Sequence, residues 1–251
     1  MNQEAPHRQH HIDMLPGDTA TTVLVPGDPG RVEVFASHMD EAKQVAHKRE
    51  YLTYTGKKDG VAISCTSCGL GPSPTAIGTE ELIRIGAKNI IRMGTCGAIQ
   101  PFMKAGDIII ATGAVRGERA TEEFISIDYP AIASHFIVRA SIEACQRLGL
   151  TYHLGLVRTH DAFYLESPWA FGDIKARLQK WIDLGVLAVE NEAATMLVVA
   201  SMQGVRAGAI LLSSDPIFGE GEDDPELEKH QNDLVRVSIE TARILHEQGL
   251  D

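Results

Sequence analysis

The stretch Asn89-Ile-Ile-Arg-Met-Gly-Thr-Cys-Gly97 joins an apolar run to a glycine-rich turn. Its first half, Asn89 to Met93, is short, apolar and β-branched, which is typical of a strand buried on both faces of a sheet. Gly94 and Gly97 then predict a turn where the strand ends. Arg92 lies inside this apolar run, and an arginine there is costly unless it meets a buried anion. The stretch therefore predicts a central strand with a charged site beside it.

Similar apolar runs occur on both sides of this stretch and alternate with segments of helical spacing. The repeated order predicts an α/β fold: a single domain with a central mixed, mostly parallel β-sheet flanked by helices. Ligands of such sheets bind at the carboxyl ends of the strands, where the glycine-rich turns lie. Residues 1–10 are expected to be a flexible polar N-terminus, and residues 11–251 the domain. The further predicted strands are Thr22–Pro26, Val61–Thr66, Asp107–Thr112, Tyr152–Val157 and Ala207–Ser213. The predicted helices are Thr75–Ile85, Ser134–Leu148, Ala170–Ile182, Glu192–Gln203 and Asp224–Gln248.

Composition limits the classes of partner. The chain has 251 residues, with 23 Lys+Arg against 34 Asp+Glu, which gives a net charge of −11. Such an acidic chain is poorly suited to general binding of nucleic acid or of anionic membranes. The chain has only four cysteines, which indicates reduced thiols. It has no apolar run long enough to span a bilayer, and its polar start lacks the apolar region of a secretory signal. We therefore expect a cytoplasmic protein.

Two turns are candidates for holding a small anion. In Val25-Pro-Gly-Asp-Pro-Gly-Arg31, Gly27 allows backbone N–H groups to approach an anion, and Arg31 adds a bidentate positive group. A tight turn with a solvated arginine is the alternative. In the second turn, Thr95 adds a hydroxyl close to Arg92, and the alternative is a structural ion pair between Arg92 and a buried carboxylate.

Two acidic motifs are candidates for contacting a substrate. Glu190 and Glu192 flank Asn191 at the start of a predicted helix, and a carboxylate is a good acceptor for adjacent sugar hydroxyls. The alternative is an acidic cap that supports the helix dipole. Asp215 follows an apolar strand, where partial burial can raise the pKa of a carboxyl enough for general acid catalysis. A turn aspartate before Pro216 is the alternative.

Several cofactor and nucleophile motifs are incomplete. Cys65 and Cys68 form a CxxC with no second pair at zinc-finger spacing, so neither zinc nor redox chemistry is favoured. The turn Gly69-Leu-Gly-Pro-Ser-Pro74 lacks the third glycine of a dinucleotide-binding loop. The GxSxG elbow of serine hydrolases is absent from the sequence. We therefore expect no metal and no organic cofactor.

Together these motifs resemble the nucleoside phosphorylase family, which contains hexameric purine nucleoside phosphorylases, uridine phosphorylases and archaeal methylthioadenosine phosphorylases. The similarity extends from about His11 to the C-terminal helix. The motifs that carry it are Pro26-Gly-Asp-Pro29, Arg92-x-Gly-Thr-x-Gly-Ala98, Asp161-x-Phe-Tyr164, Val189-Glu-x-Glu-Ala-Ala194 and Ser214-Asp215. The resemblance implies phosphate-dependent cleavage of an N-ribosidic bond, with inorganic phosphate as co-substrate and no cofactor.

The resemblance also implies a role for each matching residue. Phosphate would bind to Gly27, Arg31, Arg92 and Thr95, and to Arg49 from a neighbouring subunit. Ribose would bind to His11 from across a dimer interface, and to Tyr164, Glu190, Asn191 and Glu192. The base would lie against Cys96, Gly97, Phe163, Asn191 and Asp215. Arg92 and Asp215 would be the catalytic residues, with Asp215 protonating the leaving base. The shared sites imply a homo-oligomer, a hexamer built as a trimer of dimers.

The sequence departs from the family where the base is recognised. Uridine phosphorylases read uracil with a glutamine and an arginine shortly after the Phe-Tyr pair, and here Ser167 and Trp169 occupy those positions. Asn191 replaces a usual methionine, and no basic residue follows Asp215 closely enough to assist it. The missing uracil-reading pair and Asp215 favour a purine nucleoside as substrate. The alternatives are a uridine phosphorylase with an altered pyrimidine pocket, a nucleosidase that uses water, and a non-catalytic nucleoside-binding protein.

Overall fold

The computed structural model describes residues 7–164, 169, 172–216 and 226–251, and of Lys175, Asp215 and Pro216 it describes the backbone only. The strands are β1 (Thr22–Val25), β2 (Glu41–Lys48), β3 (Tyr51–Lys58), β4 (Val61–Thr66), β5 (Asn89–Ala98), β6 (Ile108–Gly117), β7 (Ala131–Ile132), β8 (Tyr152–His160), β9 (Ala188–Glu190) and β10 (Arg206–Pro216). The helices are α1 (Pro29–His38), α2 (Pro72–Arg84), α3 (His135–Leu148), α4 (Ile174–Asp183), α5 (Ala193–Met202) and α6 (Leu227–Glu247), with a 3₁₀ turn at Ala120–Glu123.

One mixed sheet holds all the described strands. Strand β5 lies at its centre and pairs in parallel with β1 and β10 and antiparallel with β9. The order β10-β6-β8-β9-β5 closes on itself because β10 also pairs with β5, and β1, β4, β3 and β2 extend the sheet outward from β5. The mixed sheet is as expected, and its described pairings divide evenly into five parallel and five antiparallel.

Helices cover both faces of this sheet, which explains the continuous apolar runs. In β1, Leu24 packs into a cluster with α1, α3 and α6, whereas Val23 and Val25 pack into a second cluster with α2 and α5. Because successive side chains of a strand point to opposite faces, both faces of β1 must be apolar. Helix α5 is buried from Ala193 to Ala200, since it lies between the sheet and neighbouring helices.

The six predicted strands are all present, and four of them, β5, β6, β8 and β10, extend beyond their predicted ends. Strand β5 continues through the predicted turn to Ala98, and β10 continues to Pro216, because the two pair with each other along this extension. Gly149 ends α3 with φ +66°, as its position after Leu148 predicts. The hairpin β2–β3 was not predicted, because β2 is polar and largely exposed and has no apolar run.

Candidate active site

A cavity of about 310 Å³ opens at the carboxyl ends of β1, β4 and β5. Its position agrees with the expectation for ligand sites in α/β sheets. The described residues that line it are Gly27, Asp28, Arg31, Gly69, Leu70, Arg92, Thr95, Phe163, Asn191 and Glu192. The fold thus brings together the phosphate-binding residues predicted within one chain, although they lie up to 68 positions apart in the sequence. These residues are Gly27, Arg31, Arg92 and Thr95.

Two loops approach each other closely at the edge of the cavity. The backbone N–H of Gly69 donates to the carbonyl of Gly27 at 3.1 Å. A Cβ atom on Gly27 would lie 2.9 Å from the carbonyl oxygen of Gly69 and 3.9 Å from Arg92 Nη1. Glycine at position 27 is therefore required for the loops to meet beside Arg92.

Arg92 is buried and is held by two carboxylates. Its Nε donates to Glu190 Oε2 at 3.2 Å, and its Nη2 donates to Glu192 Oε2. Burial disfavours the charged guanidinium, but Glu192 and Glu190 outweigh it and raise the pKa of Arg92. The buried Nη1 has no hydrogen-bond partner within the described part of the chain. The structural ion pair considered from the sequence is present, and one donor of Arg92 remains available to an anion.

Arg31 brings a second positive charge to the same cavity. Its Nη2 lies 3.3 Å from Thr95 Oγ1. Burial lowers the pKa of Arg31, and the charge of Arg92 lowers it further. Two like charges that both face one cavity attract an anion, because a dianion between them removes their repulsion.

Glu190 lies beneath the cavity and stabilises the groups around it. Its Oε2 accepts the backbone N–H groups of Glu192 and Ala193 at 2.8 Å each, and its Oε1 accepts the hydroxyl of Thr159. Its side chain is only 1% exposed. Its oxygens therefore cap α5 and orient Arg92, as the acidic-cap alternative predicted, and this geometry gives no support to the predicted contact with ribose.

Glu192 and Asn191 lie on the wall of the cavity. Glu192 Oε1 accepts the backbone N–H of Gly71 at 2.6 Å, and Asn191 Nδ2 donates to the carbonyl of His160 at 2.5 Å. Burial raises the pKa of Glu192, although Arg92 opposes the rise. A desolvated carboxylate at this point is a strong acceptor for paired hydroxyl groups.

The aromatic residues predicted for the base and sugar lie at the mouth of the cavity. Phe163 lines it, and its ring meets that of Tyr164 edge to face, with centroids 5.1 Å apart. Cys96 and Gly97 are not among the described lining residues, and Cys96 Sγ donates to the carbonyl of Leu212 at 3.4 Å. Asp215 pairs with Gly97 along the strands, but its side chain is outside the described part of the structure, so its catalytic role stays a prediction.

His11 and Arg49 lie outside this cavity. His11 Nδ1 lies 2.8 Å from Glu81 Oε1, and the backbone N–H groups of His11 and Ile12 donate to the same carboxylate. Arg49 is exposed at the turn between β2 and β3, with φ +55°. Lys48 Nζ, next to Arg49, donates to the carbonyl of His10 at 2.5 Å, so the two predicted intersubunit residues share one surface.

Some residues that build the site were not predicted from the sequence. Glu81 anchors His11, Thr159 orients Glu190, and Asp28 caps α1 by accepting from Gly30 N–H at 2.9 Å. Gly69 and Leu70 belong to the turn that the sequence singled out only to exclude a dinucleotide. Glu81 and Thr159 carry no local sequence signal, because their partners are 70 and 31 residues away.

The described residues contain no group of three or more His, Cys, Asp or Glu side chains that could hold a metal ion. No helix formed by these residues is long and apolar enough to cross a membrane. All four cysteines are buried and none forms a disulfide, in agreement with the reduced thiols expected from the sequence: Cys65, Cys68, Cys96 and Cys145.

Comparison with known proteins identifies the family. The sequence profile of the phosphorylase superfamily matches residues 21–247. The chain belongs to the phosphorylase superfamily. Uridine phosphorylase of Thermococcus kodakarensis is 44% identical, over 80% of this chain and 75% of the relative. Guanosine phosphorylase of Halorubrum lacusprofundi is 35% identical, over 92% of this chain and 95% of the relative.

The fold agrees with the sequence comparison. The crystal structure of uridine phosphorylase from Vibrio fischeri ES114 superimposes with a TM-score of 0.86 at 29% identity, covering 94% of this chain and 98% of that one. The chain is a nucleoside phosphorylase, a pentosyltransferase, with the mixed α/β fold expected from its sequence.

Proposed function

We propose that this phosphorylase cleaves uridine with inorganic phosphate to give uracil and ribose 1-phosphate. The observation that carries phosphorolysis is the meeting of Arg31, the free Nη1 of Arg92 and Thr95 in one cavity beside Glu192. The 44% identity to a uridine phosphorylase and the likeness to a solved uridine phosphorylase support uridine as the nucleoside.

The charges of the cavity fit the proposed reaction. Breaking an N-ribosidic bond develops positive charge on the sugar and negative charge on the base. A phosphate dianion held by Arg31 and Arg92 would attack the anomeric carbon and stabilise the developing positive charge. Glu192 would fix the ribose through its hydroxyls, so that positioning of the two reactants supplies much of the barrier reduction. Phe163 would pack against the nucleoside at the cavity mouth.

The relatives do not support the preference for purines drawn from Asp215 and the missing uracil-reading pair. Ser167 is outside the described residues, and Trp169 is exposed. A second candidate, guanosine, is favoured by the guanosine phosphorylase that matches 92% of the chain and by the Ser167 and Trp169 positions. Protonation of the leaving base by Asp215 belongs to the purine alternative.

Arg49 and His11 support the proposal that neighbouring subunits share active sites. Both lie on one surface outside the cavity of their own chain, so either residue would reach a substrate only in the cavity of a second chain. We propose a homo-oligomer in which this surface completes the cavity of the adjacent subunit, as in a hexamer formed by three dimers.

A substrate panel tests the reaction and the base together. Uridine, guanosine, inosine, adenosine and methylthioadenosine are each incubated with and without phosphate, and both base and sugar products are identified. Phosphate-dependent release of uracil with ribose 1-phosphate supports the proposal. Free ribose would show a hydrolase, and cleavage of purines without uridine would refute the base assignment.

A variant pair tests the phosphate site. Arg31→Met should raise the KM for phosphate at least about tenfold, which corresponds to about 1.4 kcal/mol of lost binding. Arg84→Met is the matched control, because Arg84 is exposed on α2 and pairs with Glu80 far from the cavity. An equal effect of the two substitutions would contradict the assignment of Arg31.

A further inference from the structure

A second, separate pocket lies between the carboxyl half of β8 and one face of α4. Its volume is about 220 Å³, and it shares none of its described lining residues with the active-site cavity. Ile174, Leu178 and Trp181 give it an apolar wall, since they recur on one face of the helix. The charged side chains among its described lining residues are all basic: Arg158 from the strand, and Arg177 and Lys180 from the helix.

Arg158 is the unusual member of this pocket. Its Nε is buried and has no hydrogen-bond partner within the described ranges, and the one charged group that shifts its pKa there is Arg177, not a carboxylate. Arg158 as a whole is half-buried, but its buried Nε is costly without an acceptor, because an unpartnered buried donor loses its hydrogen bond to water. Burial lowers the pKa of Arg158, and the charge of Arg177 adds to this effect.

Stacking on an aromatic ring does not satisfy Arg158. Its guanidinium carbon lies 5.1 Å from the centroid of Trp181, and Lys180 Nζ lies 5.1 Å from the same centroid. The attraction of a cation to an aromatic ring provides no hydrogen-bond acceptor in the place of the one that the buried Nε lacks. Two cations on one ring also repel each other. The contact with Trp181 therefore positions the positive groups of Arg158 and Lys180, and it leaves the Nε donor of Arg158 for a ligand.

Two nearby acidic residues have partners outside this pocket. Asp183 of α4 accepts from Gln179 at 2.8 Å, and Asp161 accepts the backbone N–H of Arg119 at 3.2 Å. In a chain of net charge −11, a pocket with three basic side chains is a local reversal of sign. The small volume of the pocket, about 220 Å³, suits a small anion rather than an extended polyanion.

We propose that Arg158, Arg177, Lys180 and Trp181 form a second anion site that takes a phosphate or phosphate-monoester dianion, outside the active site. Planar guanidinium groups suit phosphate oxygens. Strand β8 also links the two sites, because Thr159, the residue after Arg158, binds Glu190 beneath the active-site cavity. The proposal does not depend on which nucleoside the enzyme cleaves.

The fluorescence of Trp181 reports occupancy of this site directly. The chain has two tryptophans, so Trp169→Phe leaves Trp181 as the single probe. Inorganic phosphate is titrated at constant ionic strength, with ribose 5-phosphate as a second arm. We expect a saturable change in emission that survives Arg31→Met, with an apparent Kd at least about tenfold weaker in Arg158→Met. Tighter binding of ribose 5-phosphate would assign the site to phosphate monoesters, and tighter binding of inorganic phosphate to the free ion.

Controls separate this site from the catalytic one. A signal lost in Arg31→Met and kept in Arg158→Met would come from the active site and would overturn the proposal. A linear, non-saturable change would overturn it as well. Circular dichroism confirms folding of each variant. Should Arg158→Met fail to fold, Lys180→Met replaces it, because Lys180 is exposed, and an unchanged Kd in that variant would count against the site.

Discussion

Replacing Glu190 by glutamine separates the structural role of this carboxylate from the substrate-binding role proposed for Glu192. Glu190 Oε2 accepts three N–H donors: Arg92 Nε at 3.2 Å and the backbone N–H groups of Glu192 and Ala193 at 2.8 Å each. Glutamine has the same size, but it is neutral and keeps a single acceptor oxygen. Its amide nitrogen must then face Thr159.

The size of the effect follows from the loss of charge at these bonds. Hydrogen bonds to a charged group contribute about 1.5–3 kcal/mol, and neutral ones about 0.5–1.5 kcal/mol. A loss of about 1 kcal/mol at each of the three bonds lowers the free energy of unfolding by about 3 kcal/mol. In a chain of this length, that change lowers Tm by roughly 6–12 °C.

Glu192→Gln is the matched control. Burial raises the pKa of Glu192, so its ionised form opposes folding at neutral pH, and glutamine removes this cost. The variant also weakens the bonds from Gly71 N–H and Arg92. We expect these effects to offset each other to within about 1 kcal/mol, while turnover falls because the ribose hydroxyls lose their charged acceptor.

Thermal unfolding at one protein concentration, without substrates, compares the two variants, since ligands and assembly shift Tm. Steady-state kinetics are measured on the same preparations. Equal losses of Tm, or a larger loss in Glu192→Gln, would show that Glu190 is not the principal structural carboxylate.

Three further predictions test the loops, the N-terminal anchor and the thiols. Gly27→Ala should raise the KM for phosphate at least about tenfold, because its Cβ would lie 2.9 Å from the carbonyl oxygen of Gly69; unchanged kinetics would contradict the required close approach. Burial raises the pKa of Glu81, but the hydrogen bonds from Ile12 N–H and His11 outweigh this effect, so the net pKa is lowered. The contact between Glu81 and residues 11 and 12 is therefore fully stabilising above the ordinary carboxyl pKa of about 4.3, and it is lost as the pH falls through the lowered value. Glu81→Gln should therefore speed hydrogen exchange at the amides of residues 11 and 12 at neutral pH, and unchanged protection would refute the anchor. Burial raises the pKa of Cys68 to about 11 and that of Cys145 to about 12, and all four cysteines are buried. An aromatic disulfide reagent at pH 8 should therefore label none of them in the native protein and all four after unfolding. Rapid labelling of the native protein would show that the thiols are accessible.

The strands could be predicted because burial on both faces leaves a mark in the sequence. Val23, Leu24 and Val25 are all apolar, since helices cover each side of β1. The hairpin β2–β3 leaves no such mark, because β2 is exposed and its residues are mostly polar. The turn of this hairpin carries Arg49, which the resemblance assigned to the phosphate of a neighbouring subunit.

The site could be predicted in part for a similar reason. A buried arginine within an apolar strand requires an anion, and Arg92 was recognised by that requirement alone. The sequence could not show that Glu190 and Glu192 both reach it, because these pairings span 98 and 100 positions. The role of Glu81 as the partner of His11 could likewise be recognised only from their contact in the structure.

The sequence by itself determined the α/β class, the alternation of strands and helices, and the charged turns at the strand ends, because periodicity and residue type encode them locally. Only the tertiary structure decided that Glu190 and Glu192 both bind Arg92 and that Glu192 faces the cavity. It also showed that an acidic chain gathers positive charge at two separate places, at Arg31 with Arg92 and at Arg158 with Arg177. The physical reason is that charge and hydrogen bonding act through space, and distance in space is set by the packing of the whole chain.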